Sequence, residues 1–209
     1  MMELQFYGGN CIAITTKQAR VVVDDNLKDL GVSAITKPGD IAIFTHEHGV
    51  PLVETRLIID SAGEYEAADV SIHGISMRAH IDEAGRKTAT LYKIVVDDMS
   101  LVVTGHIYPE LSETELEAIG HVDVLCIPVG GNGYTLDGAG AVQVIKKIAP
   151  KLVIPTHYAD DGLKFPVPQQ ELTEVLKTLS MEPKETVIKL RVKSADLSEN
   201  NQLIILNRQ

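Results

Sequence analysis

The sequence contains no tryptophan, and among its 209 residues only three are phenylalanine and six tyrosine. The core it can build is therefore aliphatic. Its two cysteines, Cys11 and Cys126, each lie in an apolar run without a partner at metal-binding spacing. They read as reduced core residues, not as a disulfide or a cysteine zinc cluster. Clustered positive charge is also missing: no run of Lys and Arg exceeds two residues, as in Lys146-Lys147, and the formal charge is −10. Nucleic acid is thereby disfavoured, because binding a polyanion depends on Lys and Arg displacing its counterions, and anionic membrane surfaces are disfavoured for the same reason. No segment approaches the roughly 18 consecutive apolar residues of a spanning helix. The first residues, Met1 to Tyr7, lack a basic region followed by an apolar stretch, so no secretory signal is expected and the reading is cytoplasmic.

What is present fits one ordinary globular domain over residues 1–209. The hydrophobic fraction is 44% and the charged fraction 23%, with no shift in composition that marks a second core. The first half reads as β structure, with an antiparallel meander at 4–7, 12–16 and 20–24 and further strands at 41–45, 57–60, 70–77, 90–96 and 101–104. The second half alternates. A helix over 112–119 opens on a capping box, Ser112 with Glu115; a buried strand at 122–127, a helix at 140–148 and a buried strand at 152–154 follow. A polar, Pro-containing loop at 159–168 leads to an amphipathic helix at 169–179 and a closing strand at 203–206. Two β-rich halves with helices outside account for this order.

The histidines carry the functional signal through their positions. Of seven, His46 ends the apolar run 41–45, His106 the run 101–105 and His157 the run 152–156. If these strands run in a common direction, their carboxyl ends share one edge, where ligands of open α/β sheets bind. His48 follows His46 by two, a spacing that lets two imidazoles in an extended loop turn toward one ion, and His80 closes another β run. A lone strand-end histidine is more often a satisfied polar residue than a ligand; five at one inferred edge point to a metal. Neutral nitrogen donors suit zinc, iron, nickel or copper, not magnesium or calcium. His73, inside a strand, and His121, before one, read as structural.

Other patterns say less. Glu64 and Glu66 flank Tyr65, but a shared acid/base role is not expected of them. Gly130-Gly131-Asn132-Gly133 lacks the Lys-Ser/Thr ending of a phosphate loop and reads as a tight turn near the cleft. Arg78, Arg86 and Lys87, near His80, can attract an anionic substrate, although exposed basic residues are commonly just solvated.

The stretch Thr45-His46-Glu47-His48-Gly49-Val50-Pro51 resembles the His-x-His-x-Asp-His hallmark of the metallo-β-lactamase superfamily. Asp24 at the end of an early strand, Gly63-Glu64-Tyr65-Glu66, Val122-Asp123-Val124-Leu125 leading into Pro128-Val129-Gly130-Gly131, Tyr134-Thr135-Leu136-Asp137, and Ile154-Pro155-Thr156-His157-Tyr158 extend the likeness over residues 2 to 160. The resemblance implies an α/β fold, a four-layer αββα sandwich with metals in a cleft at one edge. It implies that His46, His48 and His80 correspond to the imidazoles of the first metal site, and His157 to the last histidine of the second. Asp24 matches a carboxylate that orients a ligand imidazole by accepting its other N–H. Val50 and Pro51 stand where the hallmark has Asp and His, and His106 follows Gly105 where the family has a bridging aspartate. About one metal per chain, zinc or another borderline transition metal, is the expectation in place of a dinuclear centre.

Three histidines with an open fourth position match a catalytic zinc geometry, in which the ion lowers the pKa of a bound water to about 7. His106 and His157 are each candidates for a fourth ligand, a proton shuttle or a substrate contact. The expected function is metal-dependent hydrolysis of a small ester, lactone or phosphoester, with a small-molecule substrate and with His106 and Asp24 as the catalytic residues. The alternative is a non-catalytic descendant of the fold that binds metal or ligand.

Overall fold

The computed structural model describes every residue except 47–49 and 199–200. Alternation sets up the first sheet. In β1 (Met2–Gly8) buried and half-buried residues alternate strictly, so Leu4 and Phe6 point inward while Glu3 and Gln5 face out. β1 turns back into β2 (Cys11–Thr15) and then β3 (Arg20–Val23), with Phe6 opposite Ile12 and Ile12 opposite Val23. β4 (Ile41–Ile43) and β5 (Leu57–Ile59) then add in parallel. Buried along their whole lengths or nearly so, β3 and β4 carry the continuous apolar runs expected of interior parallel strands.

The second sheet starts as a meander of β6 (Gly63–Ala67), β7 (Val70–Met77), β8 (Ala89–Val96) and β9 (Met99–Val103). It then changes to parallel pairing. Helix α1 (Glu113–Ile119) returns the chain to β10 (Val124–Pro128), and α2 (Gly138–Ile148) returns it to β11 (Leu152–Thr156). After α3 (Leu172–Leu179), β12 (Pro183–Val187) joins this sheet and β13 (Lys189–Val192) joins the first, before β14 (Gln202–Leu206) pairs with both β11 and β12. The sheets have six strands, β13-β1-β2-β3-β4-β5, and eight, β12-β14-β11-β10-β9-β8-β7-β6.

Between them lies an aliphatic core in which Leu4, Ile12, Ile14, Val23 and Ile43 meet Ile72, Ile94, Leu101, Val103 and Ile154, with Phe6 and Tyr92 as its buried aromatic members. On the far side of the larger sheet, Leu91, Val102, Leu125 and Val153 pack under Ile119, Val144, Ile145 and Val175 of the three helices. Cys126 belongs to the central core and Cys11 to a separate cluster, and both are free thiols, as the sequence implied.

The α/β sandwich is the expected fold, with one local difference. Among the described residues no helix covers the smaller sheet; turns place Leu27 and Leu30, with Leu163 from a distant loop, over Cys11 and Val22. The capping box is present, with Ser112 Oγ accepting from Glu115 N–H and Glu115 Oε2 accepting from Ser112 N–H at 2.8 Å. α3 begins at Leu172, three residues later than the periodicity suggested, because Gln170 N–H bonds Gly130 O and Ala159 N–H bonds Gln170 O. Strands β6, β12 and β13 were not assigned from sequence. Among the described residues no helix is long and apolar enough to cross a membrane.

Candidate functional site

Parallel pairing of β3 with β4 brings their carboxyl ends side by side. Asp24 leaves β3 in a left-handed conformation, φ 48°, and its buried carboxylate accepts from Thr45 N–H at 2.7 Å and Thr45 O–H at 2.6 Å. Those bonds fix the carboxylate beside His46, whose Nδ1 lies 3.7 Å from Asp24 Oδ1. Burial pushes the Asp24 pKa up, opposed by the neighbouring His46 and the Thr45 bonds.

The larger sheet delivers the other imidazoles in the same way. β9 runs out through Gly105 to His106, β10 through Val129 to Gly130, and β11 directly into His157. Gly105 has φ 60°, and a Cβ there would collide with the Thr45 side chain, so the close approach of the two sheet ends requires glycine. His80 N–H donates to His106 O at 2.7 Å, Ala79 bridges Ile107, and Thr90 N–H donates to Thr45 O. These contacts tie the segments bearing His46, His80 and His106 into one edge.

His157 is held in a left-handed conformation, φ 53°, and its Nδ1 lies 3.0 Å from Gln169 Oε1. The Gln169 amide nitrogen donates to Val167 O, which turns its oxygen toward the ring. His157 therefore donates from Nδ1 and keeps an unprotonated Nε2. Gly130 permits this arrangement, since a Cβ there would strike both the Gln169 side chain and His157 O. The His106 ring stands edge-on between His157, centroids 4.7 Å apart, and Tyr134, 4.8 Å away. Burial, then the nearby His157, His46 and His80, hold the His106 pKa well below the usual imidazole range. Burial also lowers those of His80 and His157. All three are neutral at neutral pH, the state in which imidazole serves as a metal ligand.

Four of the five sequence-selected histidines, His46, His80, His106 and His157, line a single cavity of about 220 Å³ together with Asp24 and Tyr134. His48 lies outside the described residues. Among the described residues no three His, Cys, Asp or Glu side chains converge closely enough to hold an ion as they stand. The donor chemistry nevertheless fits one. Every candidate is an imidazole, His46 and His157 each have a partner on Nδ1 or close to it, and His80 Nδ1 is buried with no hydrogen-bond partner among the described residues. Val50 is 76% exposed and, like Pro51, offers no donor where the hallmark has them.

Sequence reading missed three members of the site. Gln169 sets the His157 tautomer from the end of the loop before α3, Tyr134 was noted only as part of the family pattern, and Asn10, which accepts from Thr156 O–H, also lines the cavity. Only Asn10 had a local signal, the Gly-Gly-Asn turn after β1. His73 and His121 do not line the cavity, in keeping with their structural reading.

A family model, the beta-lactamase superfamily domain, matches residues 3–157. The chain belongs to the metallo-β-lactamase superfamily. A UPF0173 protein of Pyrococcus abyssi is 24% identical over 184 residues, covering 77% of this chain and 85% of that one. A UPF0173 metal-dependent hydrolase of Thermoplasma acidophilum is 43% identical over a short stretch of 47 residues, 21% of this chain and 20% of that one. Among solved structures, a Thermotoga maritima protein assigned to the Zn-dependent hydrolases of this superfamily superimposes with a TM-score of 0.76 at 21% identity, over 99% of both chains. Igni18, a metallo hydrolase from Ignicoccus hospitalis, gives 0.65 at 18% identity over 99% of this chain and 95% of that one. At such identities the structural likeness speaks for the superfamily fold.

Proposed function

We propose that the protein is a metal-dependent hydrolase of a small ester, lactone or phosphoester, with a mononuclear site. The observation that carries this reading is the convergence of His46, His80, His106 and His157 on one cavity, backed by the buried carboxylate of Asp24. His46, His48 and His80 would hold the ion, zinc or another borderline transition metal. An ion held there would supply Lewis acidity for hydrolysis. Asp24, whose Oδ1 lies 3.7 Å from His46 Nδ1, is the carboxylate that would orient this ring. His106, kept neutral chiefly by burial, offers an unprotonated ring nitrogen to the cavity as a fourth ligand, proton shuttle or substrate contact. His157, with Nδ1 committed to Gln169, presents Nε2 as a further ligand or substrate contact. The names of the Thermoplasma and Thermotoga relatives support the same class of activity.

A second reading, a binding protein without turnover, is favoured by Val50 and Pro51 and by the absence of a ready-made three-donor site among the described residues. One experiment separates the two. Protein purified without an affinity tag should contain about one transition metal per chain and hydrolyse activated esters, lactones or phosphoesters. His48→Ala should remove both metal and turnover. Metal-loaded wild type that turns over nothing in a broad panel, or turns over equally well after His48→Ala, would sink the hydrolase reading.

A further inference from the structure

Beside the histidine cavity lies an open groove of about 690 Å³ whose lining runs against the charge of the chain. The formal charge is −10, yet Arg78, Arg86, Lys87 and Lys147 line this groove against only Glu110 and Glu115. What holds these cations matters more than their number. Arg78 donates from Nε and Nη2 to Asp82 O at 3.1 and 2.9 Å, and Lys147 Nζ donates to Leu111 O at 2.8 Å. A carbonyl oxygen orients a cation without neutralising it. Among the described residues Lys87 alone of the four is paired with a carboxylate, Glu115 at 2.8 Å; the Arg86 side chain makes no hydrogen bond or ion pair, although its charge is felt by the Asp82 carboxylate.

Arg78 is also immobilised. Its guanidinium lies 3.7 Å from the Tyr108 ring centroid, so the fork is fixed from its face and from one edge, with Nη1 unused. A pre-oriented guanidinium loses little side-chain freedom when an oxyanion arrives. Tyr108 in turn adjoins a histidine of the cavity, its ring 6.1 Å from that of His80, and Tyr108 N–H donates to Arg78 O at 2.8 Å. Arg78 and His80 are two residues apart on an extended segment, a separation of about 7 Å.

We propose that this groove is an anion subsite continuous with the cavity, in which Arg78 and Arg86 hold a carboxylate or phosphate group. Resting on the hydrolase reading, the proposal narrows the substrate class to small molecules that carry such an anionic group beside the bond to be cleaved. Anion binding itself does not depend on turnover.

The test uses the full chain, ¹⁵N-labelled and titrated with inorganic phosphate and separately with acetate. Saturable, salt-sensitive shifts confined to Gly85, Lys87, Tyr108 and Ser112, with the midpoint raised about tenfold by Arg86→Gln and unchanged by Lys17→Gln, are the expected result. The Arg86 side chain is exposed and makes no hydrogen bond among the described residues, so its substitution leaves the fold intact; Arg78→Gln serves as the stronger second variant. Whichever anion binds more tightly identifies the group as phosphate or carboxylate. Shifts that fail to saturate, spread over exposed lysines generally, or keep their midpoint in both arginine variants overturn the subsite.

A kinetic arm compares two esters with the same leaving group, one bearing a carboxylate. Arg86→Gln should reduce the kcat/KM preference for the anionic ester about tenfold. Groove binding of phosphate without turnover of either ester leaves the subsite standing and removes the hydrolase reading. Turnover with no anionic preference and no groove binding does the reverse.

Discussion

The three parallel strands β9, β10 and β11 end in opposite ways. At their amino ends, Asp123 is buried and fully bonded: Oδ2 accepts from Ser100 N–H at 2.9 Å, and Oδ1 accepts from Lys151 Nζ at 2.9 Å and His121 Nε2 at 3.0 Å. One carboxylate thus staples the starts of all three strands. At the edge where their carboxyl ends lie, the His106 side chain has only ring contacts and the neighbouring His80 Nδ1 no hydrogen-bond partner among the described residues, and His157 sits at positive φ. A buried polar group without a partner lowers stability, and so does a non-glycine residue in the left-handed region. The same strands are therefore pinned at one end and left with unmet bonding capacity at the other, the end where the proposed site lies.

The sharpest way to break this comparison is to remove one polar group from each end. Asp123→Ala strands a partly buried Lys151 ammonium and a buried Ser100 amide, and should lower stability by about 3 kcal/mol or more. His106→Leu exchanges an imidazole that has only ring contacts for an apolar side chain of similar size, and should change stability by less than about 1 kcal/mol, in either direction. Urea unfolding of the metal-free proteins measures both. If His106→Leu proved the more damaging, the carboxyl-end histidines would be structural and the contrast between the ends would be wrong.

How legible these two ends were in the sequence differs for a physical reason. The histidine edge announces itself locally, since each of three apolar runs stops at an imidazole and parallel pairing does the rest. The staple does not: Ser100 and Lys151 lie 23 and 28 residues from Asp123 and meet it only once the strands are in register. Gln169 escaped notice likewise, because its bond to His157 depends on the loop folding back over Gly130. β12 is exposed along four of its five residues and held by pairing with β14, so no hydrophobic alternation marks it. The turns over the smaller sheet were unreadable as a layer because Leu27 and Leu30 share their cluster with Leu163, far along the chain. The core itself was legible, because alternation in β1 and continuous runs in β3, β4, β9, β10 and β11 are each a direct imprint of burial.

Acid should act on the stapled end in a defined window. Burial alone would raise the Asp123 pKa, but the Ser100 amide, Lys151 and His121 together outweigh it and hold the carboxyl below its usual range. A carboxyl with a lowered folded-state pKa contributes stability that is fully present above the unfolded value, about 3.9, and is lost as pH falls through the folded value. The difference in urea midpoint between wild type and Asp123→Asn should therefore be constant from neutral pH down to about 4 and shrink below it. A gap that stays constant to the most acidic pH at which wild type still folds would mean the carboxylate is not what the staple relies on.

The smallest effect lies within the staple itself and sharpens what it consists of. Lys151 and His121 contact the same oxygen of Asp123 at nearly equal distances, but the lysine side chain is 29% exposed and that of His121 is 64% exposed. Distance alone would make the two contacts equivalent. Solvent screening and the mobility of an exposed ring make them unequal, so His121→Gln should cost less than about 0.5 kcal/mol, and less still in high salt. Lys151→Met should cost more, because it leaves the buried carboxylate without its better-shielded cation while Met retains the packing of the lysine stem. Urea midpoints of the two variants at low and high salt provide the measurement. Equal losses would show that exposure does not grade these contacts; a larger loss for His121→Gln would give the histidine a role at the amino ends that its place on the surface does not explain.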